Sequence, residues 1–338
     1  MSVWFLLPLG FLCSIYLTRK IRLYALAHSL IDVPNVRSSH SIPTPRGGGV
    51  AIVISFSLLL PLVAVAGYLS WSHVIGILGA GGGIALLGFL DDHGHIAARW
   101  RLLGHFAAAS WSLYWIAGLP SLTVFGMVFN FGFVSYVIAA LYLVWMLNLY
   151  NFMDGIDGIA SIEAITVCLG AVLLYFVSGF EQLIWGPLLL VFSVLGFLYW
   201  NFPPARIFMG DAGSGFLGVT LAIFSLQAAA VSSRFFWIWL ILLGVFIVDA
   251  TFTLIRRLVR GDKVYEAHRS HAYQFASRRF GNHRSVSLSI GLINLCWLLP
   301  LAYLVATQVL EGVVALVLAY VPLIITAAKF NAGGIEAR

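Results

Sequence analysis

Apolar runs of about 17–25 residues recur along the whole chain, and each is long enough to cross a lipid bilayer as a helix. Eleven can be read, near residues 1–18, 48–70, 74–90, 102–118, 133–150, 158–179, 183–200, 215–231, 235–255, 286–306 and 310–329. In hydrocarbon every backbone N–H and C=O needs an internal partner, so repeated runs of this length favour helices over open sheet. Composition removes the alternative of a water-facing globule. Of the 338 residues, 61% are hydrophobic and 9% charged, against about 25% charged in a typical soluble domain. The expected class is all-α: a polytopic integral membrane protein, one transmembrane unit over residues 1–338. The first run lacks a basic residue ahead of its apolar stretch and a small-residue cleavage site, so it is expected to be the first helix and not a signal peptide. Cys13, Cys168 and Cys296 lie in apolar runs without paired or metal-ligand spacing, which argues against a disulfide framework or a zinc site.

Charge orients these spans. If the loop after the first helix is cytoplasmic and sides alternate, every one of the 19 Lys and Arg residues except Arg234 falls on that side, as the positive-inside rule describes. The N-terminus is then outside and the C-terminus cytoplasmic. Asp32, Asp91, Asp92, Asp154, Asp157, Asp211 and Asp262 follow the same partition, with Asp249 in the inner part of the ninth span, while the outer loops carry only Glu181 and Glu311. Chemistry is therefore expected in the cytoplasmic stretches 19–47, 91–101, 151–157, 201–214 and 256–285.

Five inner stretches carry the residue types for it. In VPNVRSSHSIPTPRGGG, Arg37, His40 and Arg46 are cationic donors, and Gly47 to Gly49 allow the backbone to approach an anion. GFLDDHGHIAARWR places the adjacent carboxylates of Asp91 and Asp92 at a helix end, where they repel one another or share a cation. NLYNFMDGIDGIAS spaces Asn148 and Asn151, and then Asp154 and Asp157, three residues apart; that spacing puts both amides on one helix face. Asp157 also reads as a plain helix cap. NFPPARIFMGDAGSG sets Asp211 between glycines, with Ser214 as a cap and Phe208 as either an interface aromatic or a stacking surface. HRSHAYQ offers His268, Arg269 and His271, and Arg grips phosphate bidentately while His donates or shuttles a proton. Carboxylates for a divalent cation, together with Arg and His donors for phosphate, point to phosphoryl chemistry at the inner face.

The order PTPRGGG, LDD, NxxNFMDGIDGIA, FMGDAGS and a histidine-bearing basic loop resembles the polyprenyl-phosphate N-acetylhexosamine-1-phosphate transferases, relatives of the phospho-N-acetylmuramoyl-pentapeptide transferase. The resemblance spans residues 32 to 275. It implies transfer of a sugar-1-phosphate from a UDP-N-acetylhexosamine to undecaprenyl phosphate, with release of UMP and with Mg²⁺ or Mn²⁺ as cofactor, in the bacterial inner membrane. By motif position, Asp211 corresponds to the metal-coordinating aspartate. Asn148, Asn151, Asp154 and Asp157 correspond to the nucleotide and metal site, with Asn151 a further metal ligand. Asn201 and Phe208 correspond to residues that hold the uracil. Asp91 and Asp92 correspond to the pair near the lipid phosphate, and Arg46, His268, Arg269 and His271 to phosphate contacts. Catalytic duty is expected of Asp91, Asp92, Asp154 and Asp211.

HRSH replaces the pentapeptide enzymes' HHH run, and no lysine stands around Ser38 to Ile42. Those departures favour the branch that starts O-antigen, lipopolysaccharide or teichoic-acid glycans. The donor sugar stays open among GlcNAc and 6-deoxy relatives such as FucNAc or QuiNAc. No nucleic-acid partner is expected, and a homodimer is left open. The rival class is a cation- or proton-coupled secondary transporter, which binds near the midplane and often has repeated halves. Here nearly all the carboxylates cluster at one face, only Asp249 and Glu163 lie clearly within spans, and the DD and DGIDG motifs do not repeat.

Overall fold

The computed structural model describes residues 3–34, 42–94, 96–116, 118–263 and 268–335. Arg37 and His40, expected as cationic donors, lie outside the described residues. The helices are α1 (Leu6–Ala27), α2 (Val50–Val65), α3 (Trp71–His93), α4 (Ala98–Ile116), α5 (Val134–Met153), α6 (Ile159–Val177), α7 (Trp185–Asn201), α8 (Asp211–Val231), α9 (Arg234–Leu242), α10 (Gly244–Val259), α11 (Ala272–Phe280), α12 (His283–Ile293), α13 (Leu299–Ala306) and α14 (Gly312–Lys329). Every apolar run of the sequence becomes helix. Among the described residues, however, eight spans are long and apolar enough to cross a membrane, or nine if the bent α9–α10 pair counts as one. Outside that set stand α2, with 16 residues, and α4, with Arg99 and Arg101 in its opening turns.

Three boundaries differ from the sequence pattern. The first helix continues past Thr18 to Ala27, taking Arg19, Lys20 and Arg22 onto its last turns. The ninth run breaks, and α9 and α10 meet at 72°. The basic loop contains a helix of its own, α11. Two short antiparallel ribbons add a little sheet to the all-α plan, β1 (Ile31–Asp32) with β2 (Thr44–Pro45), and β3 (Leu122–Val124) with β4 (Met127–Phe129).

The helix at the centre is α8, with all but three of its 21 residues buried. A helix apolar on all sides belongs inside a bundle, and small residues let its neighbours come close. A Cβ on Gly88 of α3 would stand 2.5 Å from the Ala212 nitrogen, and one on Gly49 at the head of α2 would stand 2.5 Å from the Gly213 Cα. These two glycines bring α2 and α3 against the first turn of α8, where the carboxylates of the candidate site gather.

Candidate active site

The loop before α8 is held by backbone pairing. Phe208 N–H donates to the Pro45 carbonyl at 2.8 Å, Gly48 N–H to the Phe208 carbonyl at 2.9 Å, and Gly49 N–H to the Met209 carbonyl at 2.9 Å. This bears on two of the three glycines expected to let the backbone approach an anion. The N–H groups of Gly48 and Gly49 are already spent on this loop, so these residues serve close packing rather than anion binding.

At the start of α8, Asp92 Oδ2 accepts the Asp211 N–H at 3.2 Å. A carboxylate there satisfies a backbone donor that the helix itself cannot and complements the helix dipole. Arg46 is bound to the same residue: Nη2 donates to the Asp92 carbonyl and Nη1 lies 3.7 Å from Oδ1. Asp91 takes Arg101 Nη1 at 2.5 Å and the Ile96 N–H at 2.8 Å. The same Arg101 nitrogen is 3.9 Å from Asp211 Oδ2. The adjacent aspartates thus split their work, with Asp92 on the α8 main chain and Asp91 on Arg101. Arg101 carries no motif signal of its own in the sequence, because its partners come from tertiary folding.

Asp211, Asn148, Asn151, Asp91, Arg101, His105, His268 and His271 line one cleft of about 480 Å³. Asn151 hydrogen-bonds the Asp211 carboxylate and accepts the Ser214 hydroxyl on Oδ1 at 2.8 Å. Asn151, expected as a metal ligand, is thus hydrogen-bonded to Asp211 at the same cleft. Asn148 donates to the Val144 carbonyl at 2.7 Å and to His105 Nδ1 at 3.3 Å. Asp154 ends α5; burial pushes its carboxyl well above the usual carboxylate range, and the charges of Asp211, Asp157 and Asp92 push it the same way.

His268 Nδ1 hydrogen-bonds Ser270 Oγ at 2.9 Å. Burial, then the neighbouring His271 and Arg257, hold its imidazole down to about 3, so near neutral pH it offers hydrogen bonds and not charge. Arg269 is not among the described residues lining the cleft; its carbonyl accepts Arg278 at 3.2 Å.

A second cleft, of about 490 Å³, is lined by Thr44, Asp157, Ala205, Phe208, His283 and Arg284 among others. Asp157 Oδ2 accepts the Ala205 N–H at 3.0 Å, and Oδ1 is 3.2 Å from His283 Nδ1. Asn201, expected at the nucleotide, is 3% exposed. Its Oδ1 accepts the Gly158 N–H and its Nδ2 donates to the Ile207 carbonyl, each at 3.0 Å. With both ends of the amide committed, Asn201 ties the Asp157 loop to the Phe208 loop and positions the cleft wall without reaching into it.

Among the described residues, no three His, Cys, Asp or Glu side chains form a ready-made metal cage. A Mg²⁺-type ion does not need one, since it is bound through one or two carboxylates with substrate phosphates and water completing the shell. The charge of Asp211 raises the Asp154 carboxyl, and a pair of carboxylates is a donor set that fits such an ion.

The family described as glycosyl transferase family 4 matches residues 74–229. A Bacillus subtilis protein named "Probable undecaprenyl-phosphate N-acetylglucosaminyl 1-phosphate transferase" is 31% identical over 290 residues, 84% of this chain and 79% of the relative. The undecaprenyl-phosphate alpha-N-acetylglucosaminyl 1-phosphate transferase of Thermotoga maritima is 27% identical over 277 residues, covering 82% and 83%. A phospho-N-acetylmuramoyl-pentapeptide-transferase of Streptococcus thermophilus is 28% identical over 240 residues, covering 67% and 68%.

Proposed function

The chain belongs to glycosyl transferase family 4, and on that premise we propose that it transfers N-acetylhexosamine-1-phosphate from a UDP-sugar to undecaprenyl phosphate, releasing UMP. The observation that carries the reading is the convergence of Asp211, Asn151, Arg101, His268 and His271 on one cleft, together with a second cleft that holds Phe208 and Asp157.

The two clefts divide a nucleotide-sugar naturally. Phe208 stacks the uracil, with Asp157 and the Asn201 bridge shaping that pocket. The diphosphate then lies across the first cleft. There His268 and His271 donate to its oxygens, and Asn151 keeps Asp211 aimed at it. Asp211, with Asp154 near it, would hold a Mg²⁺ or Mn²⁺ ion, which would supply charge neutralisation at the diphosphate and make UMP a better leaving group. The acceptor phosphate enters at the Asp91–Asp92 pair, which removes its last proton, while Arg46 and Arg101 hold that pair in place. Its oxygen attacks the β-phosphorus; the bond between the α- and β-phosphates breaks, and UMP departs. No covalent enzyme intermediate is required.

The relatives' names support a GlcNAc-type donor. HRSH in place of HHH supports a branch that initiates O-antigen, teichoic-acid or similar envelope glycans over the pentapeptide branch. The charge partition supports eleven crossings, an outer N-terminus and a cytoplasmic active site in the inner membrane. Names of the relatives also disfavour the transporter. Mass analysis of lipid extracted after incubation with UDP-GlcNAc tests the proposal: a polyprenyl diphosphate bearing the sugar supports it. Unchanged lipid with GlcNAc and with the deoxy donors counts against it.

A further inference from the structure

Asp249 lies in α10, just beyond the helix break, and is 6% exposed. Its carboxylate accepts four hydrogen bonds, from Ala272 N–H at 2.9 Å, Tyr273 N–H at 3.0 Å, Thr253 Oγ1 at 3.2 Å and His271 Nδ1 at 3.3 Å. Two of these donors are opening N–H groups of α11, which no helical carbonyl can reach. The residue before them is His271, where Gln274 closes a capping box by accepting the His271 N–H at 3.2 Å.

His271 is 2% exposed. It stacks on His268 at 4.9 Å and Tyr273 at 5.7 Å between centroids. A carboxylate only accepts hydrogen bonds, so the Nδ1 facing it carries the proton. The other ring nitrogen, Nε2, is buried and has no hydrogen-bond partner among the described residues, although His271 lines the cleft that holds Asp211. A buried polar atom left unpaired in a cleft wall is accounted for when a ligand completes it.

We propose that Asp249 is a positioning residue for the transfer: it fixes α11 and the His271 ring so that Nε2 meets a diphosphate oxygen. This rests on the transferase reading above. Nε2 makes that contact as an N–H donor while Nδ1–H stays on Asp249. A carboxylate inside an apolar span is expensive, and here it serves a helix start and an imidazole at the cleft.

The test is a double-mutant cycle in purified protein shown to be folded by its thermal transition, with UMP release from UDP-GlcNAc as the readout. His271→Gln and Asp249→Asn should each lower kcat about 10- to 100-fold, and the double variant should be no worse than His271→Gln alone. Additive losses, or an Asp249→Asn protein with unchanged kcat per folded molecule, would overturn the inference. An active wild type with a fully active His271→Gln variant would overturn it too, whereas an inactive folded wild type would count against the transferase reading instead. If Asp249→Asn does not fold, ¹⁵N spectra of histidine-labelled wild type decide, with the resonance identified by its loss in His271→Gln. A protonated Nδ1 is expected, and a bare Nδ1 contradicts the proposal.

Discussion

Asp92 Oδ2 accepts the backbone N–H of Asp211 at 3.2 Å, so one carboxylate of the site fixes the main chain that carries another. Asp92→Ala removes that cap and the counter-charge of Arg46. The loss should be about 1 kcal/mol, typical of a helix cap, seen as a lower thermal midpoint in detergent. Turnover should fall further than stability does, because the Asp211 side chain loses its anchored base.

Asp211→Asn leaves the capping contact intact, since that contact uses the backbone N–H. The variant should fold and keep the wild-type thermal midpoint in the absence of metal. Turnover should drop by at least about 100-fold and should not recover with excess Mg²⁺. Full activity would remove the metal assignment from Asp211.

Phe208 lines the second cleft with Asp157, whereas Asp91 and Asp211 line the first. Stacking of a base on an aromatic ring contributes about 1–3 kcal/mol. Phe208→Ala should therefore raise KM for the UDP-sugar about 10- to 100-fold with a smaller change in kcat, the pattern for lost ground-state binding. Phe208→Trp should retain most of the affinity. A fall in kcat alone would place the uracil elsewhere.

Burial first, and then three neighbouring carboxylates, raise the Asp154 carboxyl in the folded protein. The folded state then holds this proton more tightly than the unfolded chain, whose carboxyl titrates near about 3.9. Its contribution to stability is complete below that value and is lost as pH rises through the raised folded pKa. Metal-free protein should lose thermal stability across this window, and Asp154→Asn should flatten the loss. Added Mg²⁺ should restore stability most at the high-pH end, where the carboxylate is ionised. An identical pH profile in wild type and Asp154→Asn would contradict this.

Much of this architecture is legible in the chain because a bilayer narrows the choices: long apolar runs become helices, and motifs at their ends gather where the ends gather. Asp211, Asn151 and His271 could thus be named from spacing and resemblance. Residues whose task depends on a partner distant in sequence could not. Arg101 stands ten residues past Asp91 and 110 before Asp211, and only the packing of α3 on α8 makes it a bridge. Asn201 carries a polar side chain at a motif position, yet burial turns it into a strut between two loops. Asp249 did leave a signal, a lone carboxylate within an apolar run, but its partners become visible only when α11 folds back onto α10. The break between α9 and α10 falls at Leu243 and Gly244, and a single glycine in an apolar run gives little warning of a 72° bend.

The central claim is a metal-dependent transfer between a UDP-sugar and a lipid phosphate, and UMP release from purified protein tests it most directly. With UDP-GlcNAc or a deoxy relative as donor, UMP should form only when undecaprenyl phosphate and Mg²⁺ or Mn²⁺ are both present, and Asp211→Asn should abolish it. UMP formed at the same rate without lipid, or no UMP with any donor from folded protein, would contradict the account.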